Sequence, residues 1–135
     1  VQKTASIEAG PAGGQGGHIM VIEDEEIIAH STSQTLEAFG YRVSVFTSAL
    51  EAMDALKNHP AGYDAILTDH IMPGLTGLQL AEKAGEICPG TPVVMVTGMP
   101  GGVDDQSHDC IDKILTKPAT AEEIGRAVRG ALNKE

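Results

Sequence analysis

Five polar residues each stand at or just beyond the end of a short apolar run. Glu23 and Asp24 follow Ile19-Met20-Val21-Ile22, Asp69 follows Ala65-Ile66-Leu67-Thr68, Thr97 follows Val93-Val94-Met95-Val96, and Lys117 follows Ile114-Leu115-Thr116. Three carboxylates, a hydroxyl and an ammonium are the groups that a divalent metal and a phosphoryl group need around them. Gathered without a cation, Glu23, Asp24 and Asp69 repel, and at least one carboxylate pKa must rise. Mg²⁺ suits such a set, because it takes hard oxygen ligands, keeps several waters and shares its shell with phosphate. A carboxylate oxygen also attacks phosphorus once metal withdraws charge from the phosphoryl oxygens, so Asp69 is either an acceptor or only a ligand. Thr97 offers a hydroxyl to a phosphoryl oxygen and Lys117 a point charge to another. Taken singly, each has a plainer role: acids Glu23–Glu26 favour a helix N-terminus, a threonine closes a strand, a lysine faces solvent. Only the joint arrangement favours chemistry.

The elements that must position these groups alternate in type. Apolar runs predict strands at 19–23, 42–46, 64–69, 92–97 and 111–116. Glu26–Phe39 carries apolar residues at helical spacing and stops at Gly40, and Ser48–Asn58 opens on a serine cap. Thr76–Ile87 repeats the pattern before Cys88-Pro89-Gly90, and Thr120–Leu132 begins with the capping box Thr120-Ala121-Glu122-Glu123. Strand and helix in alternation predict an α/β fold, a parallel sheet with helices on both faces. The continuously apolar 65–67 and 93–96 runs suit strands buried on both sides. In such a sheet all strand ends lie on one edge, where ligands bind. Pro73-Gly74 and Gly77 make the loop after Asp69 compact, Gly98 leaves room beside Thr97, and Pro118 fixes the turn after Lys117. Glycine-rich residues 98–110 predict a short helix or a loop in place of a full helix.

At 135 residues the chain predicts one folded domain, 18–135, behind a flexible glycine-rich linker, 1–17. No leading methionine and that linker together suggest a piece of a longer protein, and Asn133-Lys134-Glu135 reads as an end without an output domain. A net charge of -10 disfavours direct nucleic-acid binding. No run is long enough to cross a membrane and no signal peptide precedes the domain, so a cytoplasmic location is expected. Cys88 and Cys110 lack metal-ligand spacing and read as free thiols. With two Tyr, two Phe and no Trp, the core must be aliphatic.

The segments Ile-Met-Val-Ile-Glu23-Asp24-Glu25-Glu26, Leu-Thr-Asp69-His-Ile-Met72-Pro73-Gly-Leu-Thr-Gly77, Val-Met-Val-Thr97-Gly98 and Leu-Thr-Lys117-Pro118 resemble the receiver domains of two-component response regulators. The likeness runs from about His18 to Leu132 and keeps all five positions in order. It implies a flavodoxin-like, doubly wound five-stranded sheet of order 2-1-3-4-5, an order the family itself exemplifies. It also implies that Asp69 takes a phosphoryl group from a histidine kinase or histidine phosphotransfer domain. Asp24, Asp69 and the backbone carbonyl of Ile71 would hold Mg²⁺, with Glu23 acting through water where the family more often has Asp. Thr97 and Lys117 would contact the phosphoryl group and move on activation. The catalysis implied is confined to the domain's own phosphorylation and dephosphorylation, and a receiver at the C-terminus of a hybrid sensor kinase is one setting for it. Ile114 stands where the family usually has Tyr or Phe, Ala119 replaces a common Phe, and the fourth helix is reduced. These departures touch output rather than phosphate chemistry. Ile71 and Met99, bulky and apolar, stand where water would approach the acyl phosphate and should slow its hydrolysis.

Two other readings share the composition. Aspartyl-nucleophile phosphatases place the nucleophile on the first strand and a second Asp two residues later as general acid, where this chain has Ile71. A degenerate receiver would bind partners without phosphorylation, which the intact acidic set argues against. A flavin site fares worse, since Glu23–Glu26 would repel its phosphate.

Overall fold

Two periodicities decide the architecture. In β1 (His18–Ile22) and β3 (Ala65–Asp69) successive side chains point to opposite faces and both faces are buried, so these strands must lie inside a sheet. β2 (Arg42–Phe46) and β5 (Lys113–Thr116) are only half-buried, as edge strands are, and β4 (Val93–Thr97) is again internal. The computed structural model, which describes residues 17–98 and 111–133, pairs them all parallel in the order β2-β1-β3-β4-β5. The flavodoxin-like order expected above is therefore the observed one.

Helices α1 (Glu26–Ala38) and α4 (Ala121–Leu132) cover one face, α2 (Ala49–Asn58) and α3 (Gly77–Ile87) the other. Ile19, Val21, Leu67 and Val94 pack with Leu36 of α1 and Val128 of α4, whereas Met20, Ile22, Ile66 and Met95 pack with Leu56 of α2 and Leu80 of α3. Each fully buried aliphatic side chain is worth about 1.5–3 kcal/mol over exposure. The period-2 split of β1 thus pins its register, because a one-residue slip would exchange both faces.

Helix ends follow local chemistry. α1 stops in a Schellman arrangement: Gly40 has φ 98°, its N–H donates to the Glu37 carbonyl, and Tyr41 N–H donates to that of Leu36. Leu36 and Tyr41 then meet in the same buried cluster. The Ser48 hydroxyl caps α2, and Thr120 with Glu123 forms the anticipated capping box of α4. Thr76 and Gln79 form a second box at α3, which hydrophobic spacing alone did not reveal.

Boundaries shift by a residue or two. β5 starts at Lys113 rather than 111 because the Asp112 carboxylate, not a backbone group, accepts Val93 N–H at 3.0 Å. β1 takes in His18, whose ring lies 2.7 Å from the Ser44 hydroxyl and 2.9 Å from the Gly62 carbonyl. The expected linker lies, apart from Gly17, outside the described residues, as do residues 99–110, where a reduced helix or loop was expected between β4 and β5, with Met99 and Cys110 among them. Cys88 is free and buried.

Candidate functional site

Because every strand runs the same way, the residues ending β1, β3, β4 and β5 share one edge of the sheet. Glu23 is held there by its N–H, which donates to the Phe46 carbonyl, and it is 7% exposed. Asp24 follows and is exposed. Neither belongs to α1. Glu26 is the acid in that helix's first turn, so the favourable dipole contact falls to it. Glu23 and Asp24 instead meet Asp69: one carboxylate oxygen from each lies within 4.8 Å of the others.

Burial governs the electrostatics. The Glu23 carboxyl is pushed up to about 7, first by desolvation, with the charge of Asp69 and then Asp24 adding and the Glu25 N–H and Lys117 opposing. Mutual repulsion among the acids, the cause anticipated from the sequence, is therefore secondary to the low-dielectric position at the end of β1. An all-oxygen donor set with an uncompensated buried carboxyl fits a hard divalent cation.

Asp69, 8% exposed, is the best-anchored member. Its Oδ1 lies 2.9 Å from Lys117 Nζ and accepts the His70 N–H at 3.0 Å. Thr68 donates its hydroxyl to the Asp69 carbonyl at 2.9 Å and so fixes the backbone behind the carboxylate. Burial alone would lower the Lys117 ammonium, but the hydrogen bond and charge of Asp69, with Glu23 and Glu25 behind, outweigh it and the net direction is up. Lys117 N–H donates to the Thr97 carbonyl at 2.9 Å, which ties the end of β5 to that of β4. The Lys117–Pro118 peptide is cis.

Thr97 ends β4 and is 2% exposed, and a Cβ added at neighbouring Gly98 would meet nothing within 4 Å. Ile71, two residues past Asp69, holds its side chain 68% exposed. Gly77 has a stricter task than turn flexibility. Its N–H donates to the His70 carbonyl at 2.6 Å, and a Cβ there would strike the Asp69 carbonyl and come within 2.9 Å of His70 Cα. The start of α3 thus presses directly on the backbone that carries Asp69. Sequence reasoning named Glu23, Asp24, Asp69, Ile71, Thr97 and Lys117, and the structure sets all six on this edge. It missed Thr68, whose signal was a lone hydroxyl inside an apolar strand, and the His70 N–H, which carries no side-chain signal. Ile114 is half-buried against the α2–α3 core.

Residues 19–129 match the response regulator receiver domain. The chain belongs to that family. It is 33% identical over 124 residues to the uncharacterized transcriptional regulatory protein YkoG of Bacillus subtilis, covering 87% of this chain and 52% of that one. It thus spans about half of YkoG. It is 30% identical over 102 residues to the response regulator receiver protein CpdR of Brucella abortus, covering 74% of this chain and 83% of CpdR. A receiver domain structure from Clostridium thermocellum superposes with a TM-score of 0.82 at 27% identity, over 87% of this chain and 95% of that one. The chain is therefore a phosphoacceptor module of two-component signalling, a class that works with histidine kinases or phosphotransfer proteins. Among the described residues no helix is long and apolar enough to cross a membrane.

Proposed function

We propose that Asp69 is the phosphoacceptor and that Glu23, Asp24, Asp69 and the Ile71 carbonyl hold Mg²⁺. The single observation that supports this most is the meeting of three carboxylates from two strand ends with one ammonium on Asp69 Oδ1. The bound cation would withdraw charge from the phosphoryl oxygens.

The chain's own residues do the rest. The phosphodonor is a phosphohistidine on a histidine kinase or histidine phosphotransfer domain. A carboxylate oxygen of Asp69 attacks phosphorus in line, the new P–O bond forms as the P–N bond breaks, and the electron pair leaves on the imidazole nitrogen. The His70 N–H and Lys117 hold the carboxylate in a fixed orientation, so little reorganisation is needed at the moment of transfer. Lys117 then shifts its charge to a phosphoryl oxygen, and the Thr97 hydroxyl donates to another. No acid stands two residues after Asp69, where an aspartyl phosphatase keeps one, so the acyl phosphate persists as a signal. We assign the domain no turnover of external phosphoesters and place its work in the cytoplasm.

Incubation with acetyl phosphate and Mg²⁺, followed by intact mass, tests the assignment. One added phosphoryl group is expected on the wild-type chain and none on Asp69→Ala. Labelling of Asp69→Ala at the wild-type level would overturn it.

A further inference from the structure

Thr68 puts a hydroxyl where an aliphatic side chain would serve the fold. It is 1% exposed and, by the alternation of β3, shares a face with Ile66, whose cluster also holds Met72 and Leu75. Valine has nearly the same shape and would need no hydrogen bond there. A buried hydroxyl gives up its hydration on folding, so the partners it finds indicate its task. Both partners lie in the turn that follows. The hydroxyl donates to the Asp69 carbonyl at 2.9 Å, and the Met72 sulfur, a weaker acceptor, lies 3.9 Å from the same oxygen. Toward β1 the strand pairing stops at Ile22 and Thr68, one residue short of Asp69, so the hydroxyl takes over where the ladder has ended. Asp69 and Met72 are buried, and between them Ile71 turns its side chain to solvent. One buried hydroxyl thus holds both ends of the turn that carries the Ile71 carbonyl. The Gly77 N–H, donating to the His70 carbonyl, holds the same turn from the α3 side.

We propose that Thr68 is a positioning residue for the divalent cation, its hydroxyl holding the turn 69–72 in the conformation in which the Ile71 carbonyl serves as a ligand. The inference rests on Glu23, Asp24, Asp69 and that carbonyl being the Mg²⁺ ligands. Mg²⁺ demands near-octahedral geometry at short distances, so a carbonyl already in place binds it better than one that must be ordered first. The three acids attract the cation through their charge. A neutral carbonyl has no such pull and depends on its backbone being fixed, which is the task of groups behind the ligands. Thr68 lies beneath the turn and reaches the cation only through it. Its effect therefore falls on metal affinity and not on the transfer step once the metal is bound.

Thr68→Val removes the hydroxyl and keeps the shape, whereas Thr68→Ser keeps the hydroxyl. The Mg²⁺ dissociation constant of each whole chain is read by NMR titration with MgCl₂, without any phosphodonor. We expect Thr68→Val to bind Mg²⁺ about tenfold more weakly, the size of loss seen when a group behind a metal ligand is removed. Thr68→Ser should stay close to the wild-type value. With acetyl phosphate, Thr68→Val should need correspondingly more Mg²⁺ for half-maximal labelling, yet reach the wild-type rate once Mg²⁺ is saturating. Wild-type Mg²⁺ affinity in Thr68→Val would overturn the proposal, as would an equal loss in Thr68→Ser. A labelling rate that stays low at saturating Mg²⁺ would overturn it too, by moving the effect from the metal to the transfer. Should Thr68→Val not fold, Thr68→Cys, of similar shape with a weaker donor, takes its place under the same criteria. Failure of the underlying ligand set looks different: Asp24→Asn would then keep the wild-type Mg²⁺ affinity.

Discussion

Glu23 is a buried acid whose charge the fold alone does not compensate. Its folded pKa, pushed up to about 7, lies above its ordinary 4.5. Its contribution to stability is therefore fully present below the ordinary value and lost as pH rises through about 7. A cation binds only the ionised form and so returns stability where the free protein lacks it. Mg²⁺ should raise the melting temperature more at pH 8 than at pH 5.5, and Glu23→Gln should flatten that difference. Equal increments at both pH values would contradict the account. A second residue-scale consequence concerns Ile71. Its exposed apolar side chain stands two residues from the acceptor, and we expect it to obstruct approaching water. After small-molecule phosphorylation, Ile71→Asn should lose its phosphoryl group faster than wild type, by several-fold. Faster decay of the wild type would remove this role.

At the scale of elements, the junction of β3 and α3 positions the acceptor. Gly77 lets the first turn of α3 press against the Asp69–His70 backbone, and the Thr76–Gln79 capping box fixes where that turn begins. Gly77→Ala forces the two segments apart and should cost about 1–3 kcal/mol, as overpacking does. It should also slow labelling by acetyl phosphate, because the displaced group is the one that carries Asp69. Chemical denaturation and the labelling rate, measured on the same protein, separate these effects. A variant with wild-type stability and rate would show that the contact relaxes freely. Strand and helix positions were legible because their hydrophobic periods are strong, and caps at Ser48 and Thr120 marked two starts. The Thr76-x-x-Gln79 box carries the same kind of signature and was overlooked, whereas the late start of β5 was not legible, since it depends on the Asp112 side chain accepting the Val93 N–H in place of a backbone group.

For the molecule as a whole, parallel strand order converts four separate sequence segments into one site. This explains why Glu23, Asp24, Asp69 and Lys117 were readable together from their places after apolar runs. Burial was less readable. Glu23 and Asp24 are adjacent in sequence, yet one is 7% exposed and the other open to solvent, a difference set by the Phe46 carbonyl on a neighbouring strand. The chemistry of the site turns on which carboxylate takes the phosphoryl group. Borohydride reduction of the acetyl-phosphate-treated protein, followed by digestion and peptide sequencing by mass spectrometry, reads that position directly. We predict that the reduced residue is Asp69 alone; reduction at Glu23, Asp24 or any other acid would contradict the account.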